Sequence, residues 1–153
     1  MIAGHEASSS GLYGALTFHH AQLETLARHA LSTFHLEGRS AALTAMSQFE
    51  RELEAHLEAE ERWLIPAFAR ENPAACDAIL AEHARLRRAC DLAAAVLGAE
   101  TIDERPIHVL LELLGNHCRR EEAELYRWAE TSIDEATSRA VIQKIEGAEN
   151  VER

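Results

Sequence analysis

The chain has 153 residues, of which 47% are hydrophobic and only 5% aromatic, with seven glycines and three prolines. This length suits one domain, and the composition predicts an all-α fold whose core is mostly leucine and alanine. The formal net charge of −11 argues against nucleic acid and against an anionic membrane surface as partners, because both would repel the chain.

Capping and helix-breaking residues divide the first half of the chain into two predicted helices. The serines at residues 8–10 offer N-caps for a first helix that runs to about Leu36. The segment EGRS then supplies a glycine stop and Ser40 as the next N-cap. The second helix runs to about Arg70, with Pro66 kinking or ending it. These two helices are predicted to form a tight hairpin.

The second half of the chain repeats this division and adds a tail. The segment ENPAA opens a third helix that stops near Gly98. The segment TIDERP starts a fourth, with Asp103 as its cap and Pro106 in its first turn, and this helix continues to about Glu130. The segment SIDE, residues 132–135, has the pattern of a capping box and predicts the start of a short tail helix.

The predicted helices form a single domain over residues 1–153. Four of them make an up-down-up-down four-helix bundle over about residues 10–131, and the tail helix covers about 132–147. Apolar residues recur at helical spacing and mark the faces that meet in the core. These core positions are Leu12, Leu16, Leu23, Leu26, Ala30, Phe34, Phe49, Leu53, Leu57, Leu64, Leu110, Leu113, Leu114 and Leu125.

Histidine and glutamate share these core faces, and one motif that contains them occurs twice. Only HLEAEERWL, residues 56–64, and HCRREEAEL, residues 117–125, have the pattern H-x-x-x-E-E-x-x-L. The segments HHAQL and EHARL also resemble each other, which aligns His20 with His83. The chain is therefore predicted to be a duplicated helical hairpin. In each copy one helix provides a histidine, and the next provides a histidine and a glutamate.

The spacing of the histidines along the chain places them at one height in the bundle. Residues of antiparallel helices lie level when they are equally far from the connecting turn, because every residue adds about 1.5 Å of rise. Each predicted turn lies midway between successive histidines of this set. The four level residues are His20, His56, His83 and His117. Glu60 and Glu121 follow their histidines by one helical turn and line the same predicted cavity.

Four imidazoles and two carboxylates around one cavity predict a site for two first-row transition metals. Each metal would take two histidines, while Glu60 and Glu121 bridge the pair and neutralise part of its charge. Coordination positions would remain for an oxo or hydroxo bridge and for a small ligand such as dioxygen, nitric oxide or peroxide. The six metal-ligand candidates are His20, His56, Glu60, His83, His117 and Glu121.

Residues 17–130 resemble the hemerythrin-like (HHE) cation-binding domain. Its motifs are a histidine on helix 1, H-x-x-x-E-E-x-x-L-x-P on helix 2, E-H-x-x-L on helix 3 and H-x-x-x-E-E on helix 4. The matching residues are His20, His56 with Glu60, Glu82 with His83, and His117 with Glu121. The resemblance implies a four-helix bundle that holds a non-haem centre of two iron ions.

One position departs from the oxygen-carrying members of that family. They have a second histidine four residues after the helix 3 ligand, where this chain has Arg87. The remaining set of four histidines and two glutamates resembles the bacterial members proposed to repair iron centres and the iron-sensing members. Simple reversible oxygen carriage is therefore not the expected role.

The sequence leaves several roles open near the predicted metals. His19 is adjacent to His20, and the helical wheel places His19 slightly nearer the apolar stripe, whereas the repeat and the H-x-x-L context favour His20 as the ligand. Tyr13 is either a hydrogen-bond donor beside a ligand or a core residue. Arg87 and Glu24 occupy equivalent repeat positions, where they either pair across the mouth of the bundle or remain exposed.

The predicted function is binding or sensing of dioxygen, nitric oxide or peroxide, or iron handling under stress, by a metal-binding protein rather than a dedicated enzyme. One alternative is a di-iron oxidase or peroxidase, and another is a structural bundle with zinc or no metal. The chain is expected to be a monomer or a homodimer. Cysteines that are odd in number and lack C-x-x-C spacing indicate reduced thiols and a cytoplasmic protein. They are Cys76, Cys90 and Cys118.

Overall fold

The computed structural model describes residues 11–99 and 103–150, and every regular element within them is helical. The predicted serine caps at residues 8–10 lie outside this part of the chain. The all-α bundle with a short C-terminal helix is confirmed. Its elements are α1 Gly11–Glu37, α2 Arg39–Ala59, a π-helical turn Glu60–Leu64, α3 Ile65–Glu71, α4 Pro73–Leu97, α5 Arg105–Ala123, α6 Leu125–Ser132 and α7 Glu135–Asn150.

The turn between α1 and α2 depends on Gly38. Its φ of 100° lies in the left-handed region that favours glycine. The Gly38 N–H donates to the carbonyl oxygens of Thr33 and Phe34, at 3.2 and 3.1 Å, and so closes the last turn of α1. Because Gly38 itself is the N-cap of α2, the prediction that Ser40 caps this helix is wrong.

The second helix of the bundle accommodates Pro66 by forming one wider, π-helical turn before it. Residues 60–64 form a π-helical turn in which the Ile65 N–H donates to the carbonyl of Glu60. Proline has no N–H, and its ring would clash with the carbonyl four residues earlier in a regular α-helix. The wider turn relieves that conflict, so the helix continues as α3 to Glu71. Glu60, a predicted ligand, is the first residue of this turn.

The capping of α5 differs from the sequence prediction. The helix begins at Arg105, with Glu104 as an N-cap that makes no side-chain capping bond. Asp103 lies one residue earlier, and its carboxylate accepts the Arg105 backbone N–H at 3.1 Å and the Arg105 guanidinium. Asp103 therefore holds the entry to the helix by a local ion pair, and its predicted role as N-cap is wrong.

The tail helix α7 also begins later than predicted. Asp134 accepts the Thr137 backbone N–H at 2.7 Å, and α7 starts at Glu135 and extends to Asn150. The capping box predicted from Ser132 is therefore wrong, because the aspartate two residues later provides the cap. The helix packs against α1 and α2 and buries Val141 and Ile145.

The core of the bundle has two apolar clusters, and the histidine layer lies between them. One cluster contains Leu23, Leu53 and Leu86, and the other contains Leu16, Leu64 and Leu125. The predicted core residues are buried except for three, which are half-buried and pack against the apolar cluster that contains Leu23: Leu26, Phe34 and Leu113. Among the described residues, no helix combines the length and apolarity that crossing a bilayer requires.

Candidate metal centre

The structure brings the six predicted ligand side chains together in the interior of the bundle. Helix α1 carries His20, α2 carries His56, and the π-helical turn begins with Glu60. His83 lies on α4, while α5 carries both His117 and Glu121. Each of these side chains is 0–3% exposed, which is exceptional burial for glutamate and requires partners of opposite charge or a bound cation.

The ligand atoms form two overlapping groups that share both carboxylates. In each group the candidate ligand atoms all lie within 4.8 Å of one another. We call these groups the first and the second cluster. The first contains His20, His56, Glu60 and Glu121, and the second contains Glu60, His83, His117 and Glu121.

Each shared carboxylate directs one oxygen to each cluster. In Glu60, Oε2 lies 2.9 Å from His56 Nε2, and Oε1 lies 3.2 Å from His83 Nε2. In Glu121, Oε1 lies 3.1 Å from His20 Nε2, and Oε2 lies 2.9 Å from His117 Nε2. This is the arrangement that two bridging carboxylates adopt between a pair of cations, and it leaves two histidines in each cluster.

All four histidines present Nε2 to the interior and bind a partner through Nδ1. Three of the partners are carboxylates, at 2.7–2.9 Å, and the fourth is another imidazole at 2.7 Å. Such partners fix the ring orientation and the tautomer of a metal-binding histidine. The pairs are His20 with Glu122, His83 with Glu61, His117 with Glu82, and His56 with His19.

His19 occupies the position in the first half of the chain that Glu82 occupies in the second. Each precedes the histidine of its helix, and each contacts the histidine of the following H-x-x-x-E-E motif. The His19 ring stacks on His56 with centroids 4.9 Å apart, and His19 Nε2 lies 3.4 Å from a buried carboxylate oxygen of Glu52. The geometry thus places His20 in the cluster and His19 behind His56.

The electrostatics differ between these imidazoles. Burial and the neighbouring rings of His56 and His20 lower the pKa of His19 to about 2, so this ring is neutral. Burial also opposes charge on His83, but the adjacent carboxylates of Glu121 and Glu60 outweigh burial and raise its pKa to about 11. Against the effect of burial, the pKa of His20 is raised by its contact with Cys118 and then by Glu121 and Glu122, and the pKa of His117 is raised by the charge of Glu121.

The shared carboxylates remain charged in spite of their burial. Burial alone would raise the pKa of Glu121, but His117 and His20 hold it well below its ordinary value. Burial and the charge of Glu121 act in the same direction on Glu60, yet the neighbouring His56 keeps its pKa lowered. The neighbouring histidines therefore favour the charged form of both carboxylates.

Two polar atoms of the second cluster lack a hydrogen-bond partner among the described residues, and they test whether a metal fits. They are Glu60 Oε1 and His117 Nε2, and both are fully buried. His117 Nε2 lies close to Glu121 Oε2, but their geometry is not that of a hydrogen bond. An unpaired buried polar atom costs ~1–3 kcal/mol. A cation held by the second cluster would satisfy both atoms, so the residues fit a metal.

Tyr126 belongs to the site although the sequence did not single it out. Its side chain is fully buried, and its hydroxyl lies 2.7 Å from His20 Nε2 and 2.8 Å from His56 Nε2. Burial and the charges of Glu121 and Glu60 raise the pKa of the phenol well above its ordinary value. The sequence signal that could have located Tyr126 is the repeat. Tyr126 directly follows the second H-x-x-x-E-E-x-x-L motif, at the position that Ile65 holds after the first.

The structure gives partners to the neighbouring residues whose roles the sequence left open. Arg87, for which the sequence offered pairing with Glu24 or exposure, pairs instead with Glu54 and Glu61. Glu61 also accepts from His83, which together with Arg87 lowers the pKa of Glu61 to about 2. Tyr13 contacts Tyr126 edge-on, with ring centroids 6.5 Å apart, as a core residue would.

A surface depression lies beside the first cluster, between α1 and α7, with a volume of about 220 Å³. His19 lines its inner side, and the His56 ring lies directly behind His19. The stacked rings of His19 and His56 would therefore separate a molecule in this depression from the interior of the first cluster. The lining residues are Ala15, Phe18, His19, Gln22, Ile142, Ile145 and Glu146.

Comparison with known proteins gives one family. The family model described as the Hemerythrin HHE cation binding domain matches residues 12–129. The matched range contains all six candidate ligands and Tyr126, and it ends before the tail helix. No curated protein and no solved structure matches the chain.

Proposed function

Because the chain belongs to the hemerythrin HHE cation-binding family, we propose that it is a non-haem di-iron protein that binds or senses a small ligand. One iron would lie in the first cluster and the other in the second. Glu60 and Glu121 would bridge the pair, which would also share an oxo or hydroxo ligand. The candidate physiological ligands are dioxygen, nitric oxide and peroxide.

The observation that carries this proposal is the sharing of two buried carboxylates by two sets of histidines. Glu60 and Glu121 each direct one oxygen to each cluster. The histidines and glutamates of both clusters offer imidazole and carboxylate donors, a set that suits iron better than the thiolate-preferring metals. Four neutral imidazoles and two carboxylates would leave two ions with excess positive charge, which favours a further anionic ligand.

The protein's own groups define what such a centre would accept. The Nδ1 partners hold the four rings so that every Nε2 faces inward, and the apolar clusters on either side exclude bulk water. Two bound irons would supply reversible electron transfer and open coordination positions. Because the ligand atoms are buried, the geometry favours a ligand of two or three atoms over a larger substrate.

Metal analysis combined with spectroscopy tests this proposal. Protein made in iron-replete cells should contain about two irons per chain and show the near-ultraviolet bands of a bridged ferric pair. The reduced protein should change its spectrum on exposure to dioxygen or nitric oxide. Exposed histidines provide the control, because His29→Ala and His35→Ala should leave both the iron content and the spectrum unchanged.

Protein that holds no iron under these conditions would overturn the proposal. Sustained turnover of peroxide or an organic substrate by the reduced centre would instead favour the oxidase or peroxidase alternative. A protein that binds zinc stoichiometrically and rejects iron would favour the structural alternative.

A further inference from the structure

The hydroxyl of Tyr126 lies among the four ligand atoms of the first cluster. It is 2.7 Å from His20 Nε2, 2.8 Å from His56 Nε2 and 3.1 Å from Glu121 Oε1. It also donates a hydrogen bond to Glu60 Oε2. An ion held by these four atoms must therefore either bind the phenol oxygen or displace it.

Displacement of Tyr126 is opposed by the packing around its ring. The side chain is fully buried in the apolar cluster that includes Leu16 and Leu125. The His20 ring stacks on it at a centroid distance of 4.9 Å, and Tyr13 packs against its edge. Because protein interiors are close-packed, the ring cannot swing away unless these neighbours move as well. The hydroxyl is thus fixed at the first cluster.

We propose that Tyr126 is a fifth protein ligand of the ion in the first cluster, bound through its phenolate oxygen. Ligation breaks the O–H bond and forms an oxygen–metal bond; the proton leaves to solvent and no electron is transferred. This inference rests on the proposed function for the identity of the ion, since a phenolate is a hard anionic oxygen donor that suits ferric iron.

Within residues 11–99 and 103–150, the second cluster has no equivalent of this ligand. The repeat places Ile65 where Tyr126 stands, and Ile65 is a buried apolar residue of the same core cluster. The ion in the first cluster would have five protein ligands, and the ion in the second would have four. The extra anionic donor stabilises the ferric state at the first position. The external ligand is therefore expected to bind at the second cluster, which keeps more open positions.

The test uses the colour of a ferric phenolate. The iron(III) protein should show a charge-transfer band in the visible region, at longer wavelength than the bands of the bridged pair. Resonance Raman excitation in that band should enhance tyrosine ring vibrations. Tyr126→Phe should lose the band and keep its iron, because the other ligands remain. The chain has only two tyrosines, so Tyr13→Phe is the matched control and should keep both the band and the iron.

Loading with gallium(III) separates this inference from the proposed function. Gallium(III) has no visible bands, and its binding should produce the ultraviolet difference spectrum of an ionised tyrosine in wild type and Tyr13→Phe but not in Tyr126→Phe. Protein that rejects iron yet shows this difference spectrum would overturn the iron proposal and support Tyr126 as a ligand.

The opposite results identify the opposite failure. A wild-type protein with two irons and no tyrosine-derived band would overturn the role of Tyr126 and leave the di-iron proposal standing, as would a band that persists in Tyr126→Phe. The wild-type Raman spectrum decides the matter even if that variant does not fold. Failure to bind either iron or gallium would overturn both.

Discussion

The two helical hairpins of this bundle are alike where they supply ligands and different in what surrounds those ligands. Each hairpin provides a histidine from one helix and a histidine with a glutamate from the next. Behind His117 stands the carboxylate of Glu82, but behind His56 stands the imidazole of His19. The two hairpins thus share the positions of the six candidate ligands and differ at the neighbouring positions.

The same divergence appears in the residue nine positions after each motif histidine. Tyr126 brings a hydroxyl to the first cluster, whereas Ile65 brings only apolar surface. Two clusters with the same ligand types therefore have unequal surroundings. We expect the two ions to differ in charge and access, and the following measurements test how far the halves are equivalent.

The largest expected effect comes from the residues that the two halves share. Glu60→Gln or Glu121→Gln should remove most of both ions, because each carboxylate contacts both clusters and a neutral amide cannot bridge two cations in the same way. A histidine change such as His117→Ala should mainly affect one ion. Metal content per chain, measured after purification under identical conditions, distinguishes these outcomes.

Glu58→Gln is the matched control for the bridging carboxylates. Glu58 lies on the same helix but is exposed and pairs with Lys144, so this change should leave the metal content unaltered. If Glu60→Gln retained one fully occupied ion and lost the other, the carboxylate would belong to a single cluster and the two halves would be independent.

Acid should release the ions from both clusters. In the metal-free protein His83 keeps its proton up to its pKa of about 11, and the pKa of His117 and that of His20 are also raised. A metal must displace these protons, so metal affinity should fall as the pH falls, by about tenfold per unit for each proton displaced. Calorimetric titrations in buffers of different ionisation enthalpy count the protons. A metal affinity that did not change with pH would contradict this expectation.

The smallest expected effect on metal affinity comes from the residues that contact Nδ1 of the candidate ligand histidines. His19→Ala and Glu82→Ala should each weaken metal binding by about 10–100-fold, because each partner orients the ring of one ligand. His19→Glu gives the first half the partner that the second half has, and it should restore much of the lost affinity. Competition with a chelator measures these affinities.

Gln22→Ala is the control for this pair of changes. Gln22 lines the same depression as His19, and its side-chain oxygen has no hydrogen-bond partner among the described residues, so its removal should change affinity little. Equal losses in Gln22→Ala and His19→Ala would show that the effect comes from the surface depression, and His19 would then have no orienting role.

Spacing alone predicted the bundle and the meeting of the six candidate ligands. The prediction that His20, His56, His83 and His117 lie at one height in the bundle followed from their distances to the turns, because helical rise is uniform. Glu60 and Glu121 followed from the one-turn spacing. These inferences needed only the periodicity of the helix and the duplication of the hairpin.

The surroundings of the ligands could not be predicted in the same way. Tyr126 lies beyond the break between α5 and α6, so extrapolation along a continuous helix does not locate its ring. His19 and His20 are neighbours on one helix, and only packing against His56 separates their roles. The π-helical turn at Glu60 arises from the conflict of Pro66 with a regular helix, which the sequence suggested only as a kink or an end.

The sharing of Glu60 and Glu121 also bears on how fast a bound metal could be exchanged. Each carboxylate comes from one hairpin and reaches the histidines of the other, so two bridged ions would tie the hairpins together across their interface. Neither ion could leave without releasing a bond to the opposite hairpin. The exchange rate of the metal should then follow the rate at which the hairpins separate. Exchange of bound iron for isotopically labelled iron would measure that rate.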